Sequence, residues 1–288
     1  MITRIITAVI GIIVAVGIIT TGGWLFGGAV LALGLLAWFE FKRMAESKGW
    51  HVYTCTGGGG VALLLVLAAY AFGIKMEYLS LYPFLLFLVV LFLLLITFEG
   101  LLRHCHKGEQ NWMEDVAFTC FGLLYCGLLF VHVILVRGVP GSQVDFGIRV
   151  MEYGEGLLWL VLLGTWASDT FAYFVGVTIG KHKFCKVSPK KSWEGAIGGF
   201  LGSMSVVILI GHHLLGMSAL DAHILGFVIA FFAPVGDLVE SVIKRCFDTK
   251  DSGKLLPGHG GVLDRFDSLL FTAPVTYYMV MLLTIFNE

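Results

Sequence analysis

The chain has 288 residues, of which 58% are hydrophobic and 14% charged, and its formal net charge is −1. A soluble domain carries about 25% charge, so this composition, with a mean hydropathy of +0.89, excludes one and requires an integral membrane protein. No basic arm or stripe points to a nucleic-acid partner, and the six cysteines (Cys55, Cys105, Cys120, Cys126, Cys185 and Cys246) have no CxxC spacing and read as thiols rather than a disulfide framework.

The first apolar run is Ile5–Ile19, and Gly23–Phe39 follows after a short Thr-Thr-Gly-Gly break. Arg4 is the only charge ahead of the first run, and no small-residue cleavage site precedes the second. The first run therefore reads as a retained helix rather than a signal peptide. The runs Gly57–Phe72, Leu79–Phe98, Val116–Val136, Leu157–Gly180, Ala196–Leu215, Ala222–Val242 and Leu269–Phe286 follow. A hydrocarbon core of roughly 30 Å needs about 20 helical residues. The pattern predicts an all-α, polytopic transmembrane helix bundle of about nine spans. It divides into a region of scaffold helices, residues 1–150, and a second transmembrane region, residues 151–288, that carries most of the polar sequence taken up below.

Lys and Arg set the orientation. With nine spans, one side holds Arg4, Lys42, Arg43, Lys48, Arg103, Lys107, Lys181, Lys183, Lys186, Lys190, Lys191 and the five bases of residues 236–268. The other side holds only Lys75, Arg137 and Arg149. So strong a bias places the N-terminus and the charged loops in the cytoplasm and the C-terminus outside, in a membrane of the bacterial inner- or plasma-membrane type.

The first half is chemically quiet. Gly57–Gly60 is not followed by Gly-Lys-Ser/Thr, so it is not a phosphate loop, and a flexible start to a helix is the expectation. His104-Cys105-His106 lacks the distant partner pair of a zinc site and reads as a solvated loop. Glu40 and Glu99 read as helix-end carboxylates in reach of interfacial water.

Residues 157–180 differ, because Asp169 sits in mid-run with Thr165, Tyr173 and Gly176 on its helical face. An acid near the centre of a span costs about 2.5–3.5 kcal/mol on the insertion scale, so it faces a wet cavity or a partner. A functional role and an interhelical hydrogen bond both satisfy that requirement. In the loop that follows, Ser188 reads as an N-cap and Pro189 as the first helical residue. Lys190 and Lys191 then fall in the first turn, where free N–H groups and two cations form an anion site. Anchoring to anionic headgroups is the alternative. Gly195, Gly198, Gly199 and Gly202 have the small-residue spacing of close helix packing.

The densest polar stretch is residues 236–268, with Asp237, Glu240, Asp248, Asp251, Asp264 and Asp267 among Lys244, Arg245, Lys250, Lys254 and Arg265. If the preceding helix continues, Asp237, Glu240, Ser241 and Lys244 share one face. Asp264, Asp267 and Ser268 share another at the start of the next helix. Between them, Pro257-Gly258-His259-Gly260-Gly261 is a turn whose glycines allow close backbone approach to a ligand. Two carboxylate pairs suit a hard cation such as Mg²⁺, and the interleaved bases suit phosphate oxygens. Together they suggest a nucleotide; a loop of ordinary salt bridges is the other reading.

S-V-I-K-R, then K-D-S-G, then P-G-H-G-G-V-L-D-R-F-D resembles the signature of the CDP-diacylglycerol synthases, also called phosphatidate cytidylyltransferases. S-D-T-F-A-Y-F-V-G from Ser168 and S-P-K-K-S-W-E-G from Ser188 are similar to the same family. The resemblance implies CTP and phosphatidate as substrates, CDP-diacylglycerol and pyrophosphate as products, and Mg²⁺ with room for a second cation. It also implies a homodimer. By matching positions, Asp237, Asp264 and Asp267 hold metal and, with Lys244, are catalytic. Lys190, Lys191, Ser241, Arg245, Lys250, Arg265 and Asp169 serve substrate binding, and His259 shapes the loop without proton transfer. Two alternatives are a CTP-dependent polyprenol kinase, which lacks the His-Gly-Gly-x-x-Asp-Arg-x-Asp pattern, and a cation-coupled transporter, for which no inverted repeat of broken helices is visible.

Overall fold

The computed structural model describes residues 2–76, 78–108, 110–145, 147, 149–253 and 260–287. The main elements are helices: α1 Ile2–Thr21, α2 Gly23–Glu46, α3 Gly59–Gly73, α4 Tyr78–Lys107, α5 Trp112–Gly122, α6 Leu129–Arg137, α7 Tyr153–Thr178, α8 Trp193–Ile208, α9 Ala219–Cys246, α10 Leu263–Phe266 and α11 Leu269–Asn287. π-helical turns extend α3 backward from Thr54, join α5 to α6 and lengthen α8 to Leu214. Among the described residues, eight helices are long and apolar enough to cross a bilayer, and Val9–Thr21 is a shorter ninth. The chain is thus an all-helical, polytopic membrane bundle. A two-residue antiparallel pair, Val144–Asp145 with Val150–Met151, interrupts the helices between α6 and α7.

The chain folds as two compact units. The first contains residues 1–135 and 246–265, and the second residues 136–245 and 266–288. Lipid is as apolar as a leucine side chain, so close backbone approach, rather than hydrophobic burial, holds such helices together. In the first unit Trp38 of α2 is fully buried, and a Cβ on Gly57 or Gly122 would lie 2.5 or 2.7 Å from its ring. The glycine run at 57–60 is therefore a seat for an aromatic side chain, not the flexible helix start its composition suggests. In the second unit a Cβ on Gly199 would lie 2.7 Å from the Ser168 carbonyl, and one on Gly195 2.9 Å from the Ala172 carbonyl. Gly198 and Gly202 likewise accommodate Val175 and Phe171. The small residues of α8 thus bring it against α7 along the stretch that carries Asp169. Thr165 of α7 and Thr272 of α11, both buried, are 3.2 Å apart through their hydroxyls.

Candidate active site

Helix α9 runs unbroken to Cys246 with Pro234 inside it, so Asp237, Glu240, Ser241 and Lys244 do share the face their spacing requires. On that face Glu240 is buried and ion-paired with Lys244 one turn later. The expected phosphate-binding Lys244 therefore has a protein carboxylate as its immediate neighbour. Ser241 is half-buried and Arg245 exposed.

Asp237 meets a base from elsewhere in the second unit: Lys191 Nζ lies 2.8 Å from its Oδ2. Gly236 determines what else is near. A Cβ there would come within 2.6 Å of the Asp267 carbonyl and 2.8 Å of the Ser268 Cα. Only glycine lets the backbone at 267–268 lie against α9 beside Asp237. Asp267 is half-buried. Loss of water around its carboxylate, reinforced by the charge of Asp237 and opposed by a hydrogen bond from the Ser268 amide, pushes its pKa up to about 7. Asp169 of α7 feels the charges of Asp237 and Lys191. The second unit therefore brings Asp169, Asp237 and Asp267, far apart in sequence, within electrostatic reach of one another, with Lys191 paired to Asp237. Ser268, next to them, has a buried hydroxyl without a hydrogen-bond partner among the described residues.

The lysine loop differs from the sequence expectation. Helix α8 starts at Trp193, and its N-cap is Ser192, whose hydroxyl oxygen accepts from the Gly195 amide at 3.2 Å. Ser188 instead closes a turn, its carbonyl accepting from the Lys191 amide at 3.1 Å. Lys190 and Lys191 thus precede the helix and do not lie in its first turn. The chain is still extended at Ser192, which bridges to Lys183, and the Trp193 amide donates to the His182 carbonyl at 2.9 Å. Lys190 is exposed, with its carbonyl accepting from Lys183 Nζ at 3.0 Å, while Lys191 is half-buried on Asp237.

Asp264 belongs to the first unit, and there it organises a loop. Its Oδ2 accepts from the Ser252 amide at 3.0 Å, the Ser252 hydroxyl at 2.9 Å and the Gly261 amide at 2.8 Å. Gly260 has φ +82°, and a Cβ there would collide with the same oxygen, so both its handedness and its lack of a side chain are required. Lys250 and Arg265 are exposed. His259 and Pro257, with Lys254, lie outside the described residues.

Sequence reasoning missed Glu40. It is not at a helix end, since α2 continues to Glu46, and it is buried. Its Oε1 accepts from the Val262 amide at 2.9 Å, and its Oε2 from the Leu263 amide at 3.0 Å and the Ser252 hydroxyl at 3.2 Å. The available signal was a lone acid preceded by an apolar run. Glu99, the other acid read as wetted, accepts from the Thr56 hydroxyl at 2.7 Å and pairs with Arg103 at 2.7 Å.

Among the described residues, no three His, Cys, Asp or Glu side chains close to metal-holding distance. The chemistry of the cluster nonetheless fits a hard cation. Its three carboxylates have Lys191 as the charge partner on Asp237, and one of them is destabilised in its charged form by another. Oxygen-only donors of this kind suit Mg²⁺ or a similar ion.

The profile of the Cytidylyltransferase family matches residues 2–283. A phosphatidate cytidylyltransferase of Synechocystis is 32% identical over 296 residues, covering 97% of this chain and 96% of that one. The phosphatidate cytidylyltransferase of Bacillus subtilis is 32% identical over 286 residues, covering 97% of each. Phosphatidate cytidylyltransferase 5, chloroplastic, of Arabidopsis thaliana is 34% identical over 289 residues, covering 92% of this chain and 68% of the relative.

Proposed function

The chain belongs to the cytidylyltransferase family, and from that premise we propose that the carboxylates around Lys191 and α9 serve its transfer of the cytidylyl group of CTP to phosphatidate. The activity is that of a phosphatidate cytidylyltransferase: a phosphate oxygen of phosphatidate bonds to the α-phosphorus of CTP, and the bond from that phosphorus to pyrophosphate breaks. CDP-diacylglycerol and pyrophosphate leave. The lipid supplies its own nucleophile, so the protein needs no Ser-His-Asp triad. Its task is to position two phosphate-bearing substrates and to stabilise the charge that spreads as the bond breaks.

The reaction uses a divalent cation, which we take to be Mg²⁺, with a second cation as an option. A cation bound here would neutralise negative charge on the reacting phosphates. Asp237 and Asp267 are the carboxylates proposed to hold it, supported by their proximity over Gly236 and the raised pKa of Asp267. Asp264 is proposed as a further ligand on its place in the family-like motif. Lys191 is proposed to exchange its partner Asp237 for a CTP phosphate, leaving the carboxylate to the metal. Lys244, Ser241, Arg245, Lys250, Lys190, Arg265 and Asp169 are proposed to serve catalysis or binding as the motif implies, and His259 to shape the loop. Residues 1–150 are proposed as scaffold, residues 151–288 as the catalytic region, and the assembly as a homodimer.

The full-length match carries the reading of the reaction, and the contact between Lys191 and Asp237 carries that of the site. Purified protein given phosphatidate, Mg²⁺ and CTP labelled at the α- or γ-phosphorus tests the reaction. A cytidylyltransferase moves α-label into lipid and releases γ-label as pyrophosphate. Entry of γ-label into lipid instead, or of neither label, contradicts it.

A further inference from the structure

We infer that Glu40 is a positioning residue for cytidylyl transfer: from α2 it fixes the loop backbone on either side of residues 254–259, and through that backbone it sets Asp264. The inference rests on the cytidylyl-transfer reading above.

Burial of a carboxylate is strongly unfavourable unless donors converge on it. Glu40 meets that condition with two backbone amides and a hydroxyl from residues 252–263. These donors lie within the family-like motif, distant from Glu40 in sequence. The carboxylate also dictates two of the motif's glycines. A Cβ on Gly253 would lie 2.5 Å from Glu40 Oε1, and one on Gly261 2.5 Å from both of its oxygens. The motif is therefore shaped around this side chain.

Glu40 and Asp264 also share a donor. The Ser252 hydroxyl has one proton and two carboxylate oxygens in range, Asp264 Oδ2 at 2.9 Å and Glu40 Oε2 at 3.2 Å. The remaining amides divide cleanly: Ser252 and Gly261 donate to Asp264, and Val262 and Leu263 donate to Glu40. Successive amides at 261, 262 and 263 thus point at two carboxylates, and the orientation of Asp264 follows from where Glu40 holds the chain. Glu40 touches no reacting atom in this account and acts through the loop.

Glu40→Gln is the discriminating variant. Each oxygen of Glu40 faces a backbone N–H, so either orientation of the amide turns an NH₂ group against a donor. Val30→Ala, a buried position earlier on the same helix, serves as a purely structural control. Two readouts are taken in detergent: kcat for α-label incorporation, and the rise in melting temperature caused by Mg²⁺ and CTP without phosphatidate. E40Q is expected to lose about 10²-fold in kcat, the scale of an ångström-sized misplacement, and most of the Mg²⁺–CTP melting shift. V30A is expected to melt earlier yet keep both. The inference is overturned if E40Q keeps kcat within about twofold with a full melting shift, or if V30A matches its losses. Should E40Q fail to accumulate, Ser252→Ala replaces it, with the same two losses expected on a smaller scale and wild-type behaviour overturning the inference. Wild-type protein that incorporates no α-label would contradict the reaction itself, not the role of Glu40.

Discussion

Lys191 Nζ and Asp237 Oδ2 are 2.8 Å apart, joining the loop before α8 to the first acid of the α9 polar face. Lys190, its neighbour in the chain, is exposed and makes no ion pair among the described residues. The two lysines should therefore separate on mutation. Lys191→Gln is expected to raise the KM for CTP in neutral detergent by about tenfold or more, the scale of a charge-assisted contact. Lys190→Gln, which breaks no ion pair, should raise it by less, with a larger share of its effect depending on anionic lipid and salt. Equal effects of the two in neutral detergent would remove the distinction.

The pKa of Asp267 implies a pH dependence in the absence of divalent cation. A carboxyl raised from the ordinary range to about 7 stabilises the fold while protonated. That contribution is fully present below about pH 4, the ordinary aspartate value, and is lost as pH rises through 7. In EDTA the melting temperature should fall across this window, and Asp267→Asn should flatten the fall. A cation held there should do the same for the wild type, so identical pH profiles with and without Mg²⁺ would count against the ligand role.

The distribution of bases predicts topology. A reporter fused to the C-terminus should lie outside the cytoplasm, and one inserted at residues 181–191 should lie inside. Both reporters on one side would break the nine-span arrangement.

Asp264 and Asp248 form a contrasting pair within one unit. Asp264 gathers three hydrogen bonds onto a single oxygen, whereas Asp248 is exposed and pairs with Lys48. Asp264→Asn should cost about two to three orders of magnitude in turnover, with normal membrane insertion. Asp248→Asn should change turnover by less than about twofold, as expected for breaking an exposed ion pair. Radiolabel incorporation by the two purified variants checks both.

Much of the helix plan was legible because apolar length is a local property: among the described residues, eight of the nine runs coincide with helices long enough to span, and the first falls on the shorter helix Val9–Thr21. The shared face of Asp237, Glu240 and Lys244 was legible for the same reason, since helical period depends on spacing alone. The approach of Asp267 to Asp237 was not, because it depends on how Gly236 fits the backbone at 267–268. Glu40 was misread because its partners are brought to it only by folding. The start of α8 was placed early because Ser188-Pro189 has good local chemistry for a helix start. The bridge from Lys183 to Ser192, which keeps the chain extended up to the observed cap, leaves no local mark.

The most direct measurement is the turnover of Asp237→Asn, purified in detergent with phosphatidate, Mg²⁺ and α-labelled CTP. The substitution keeps the side chain's shape and removes the charge that faces Lys191 and crowds Asp267. Turnover is expected to fall by about two to three orders of magnitude, with the melting temperature retained or raised because Asp267 loses a repulsive neighbour. Incorporation of α-label at near wild-type rate and ordinary Mg²⁺ would contradict the assignment of this cluster as the site of transfer.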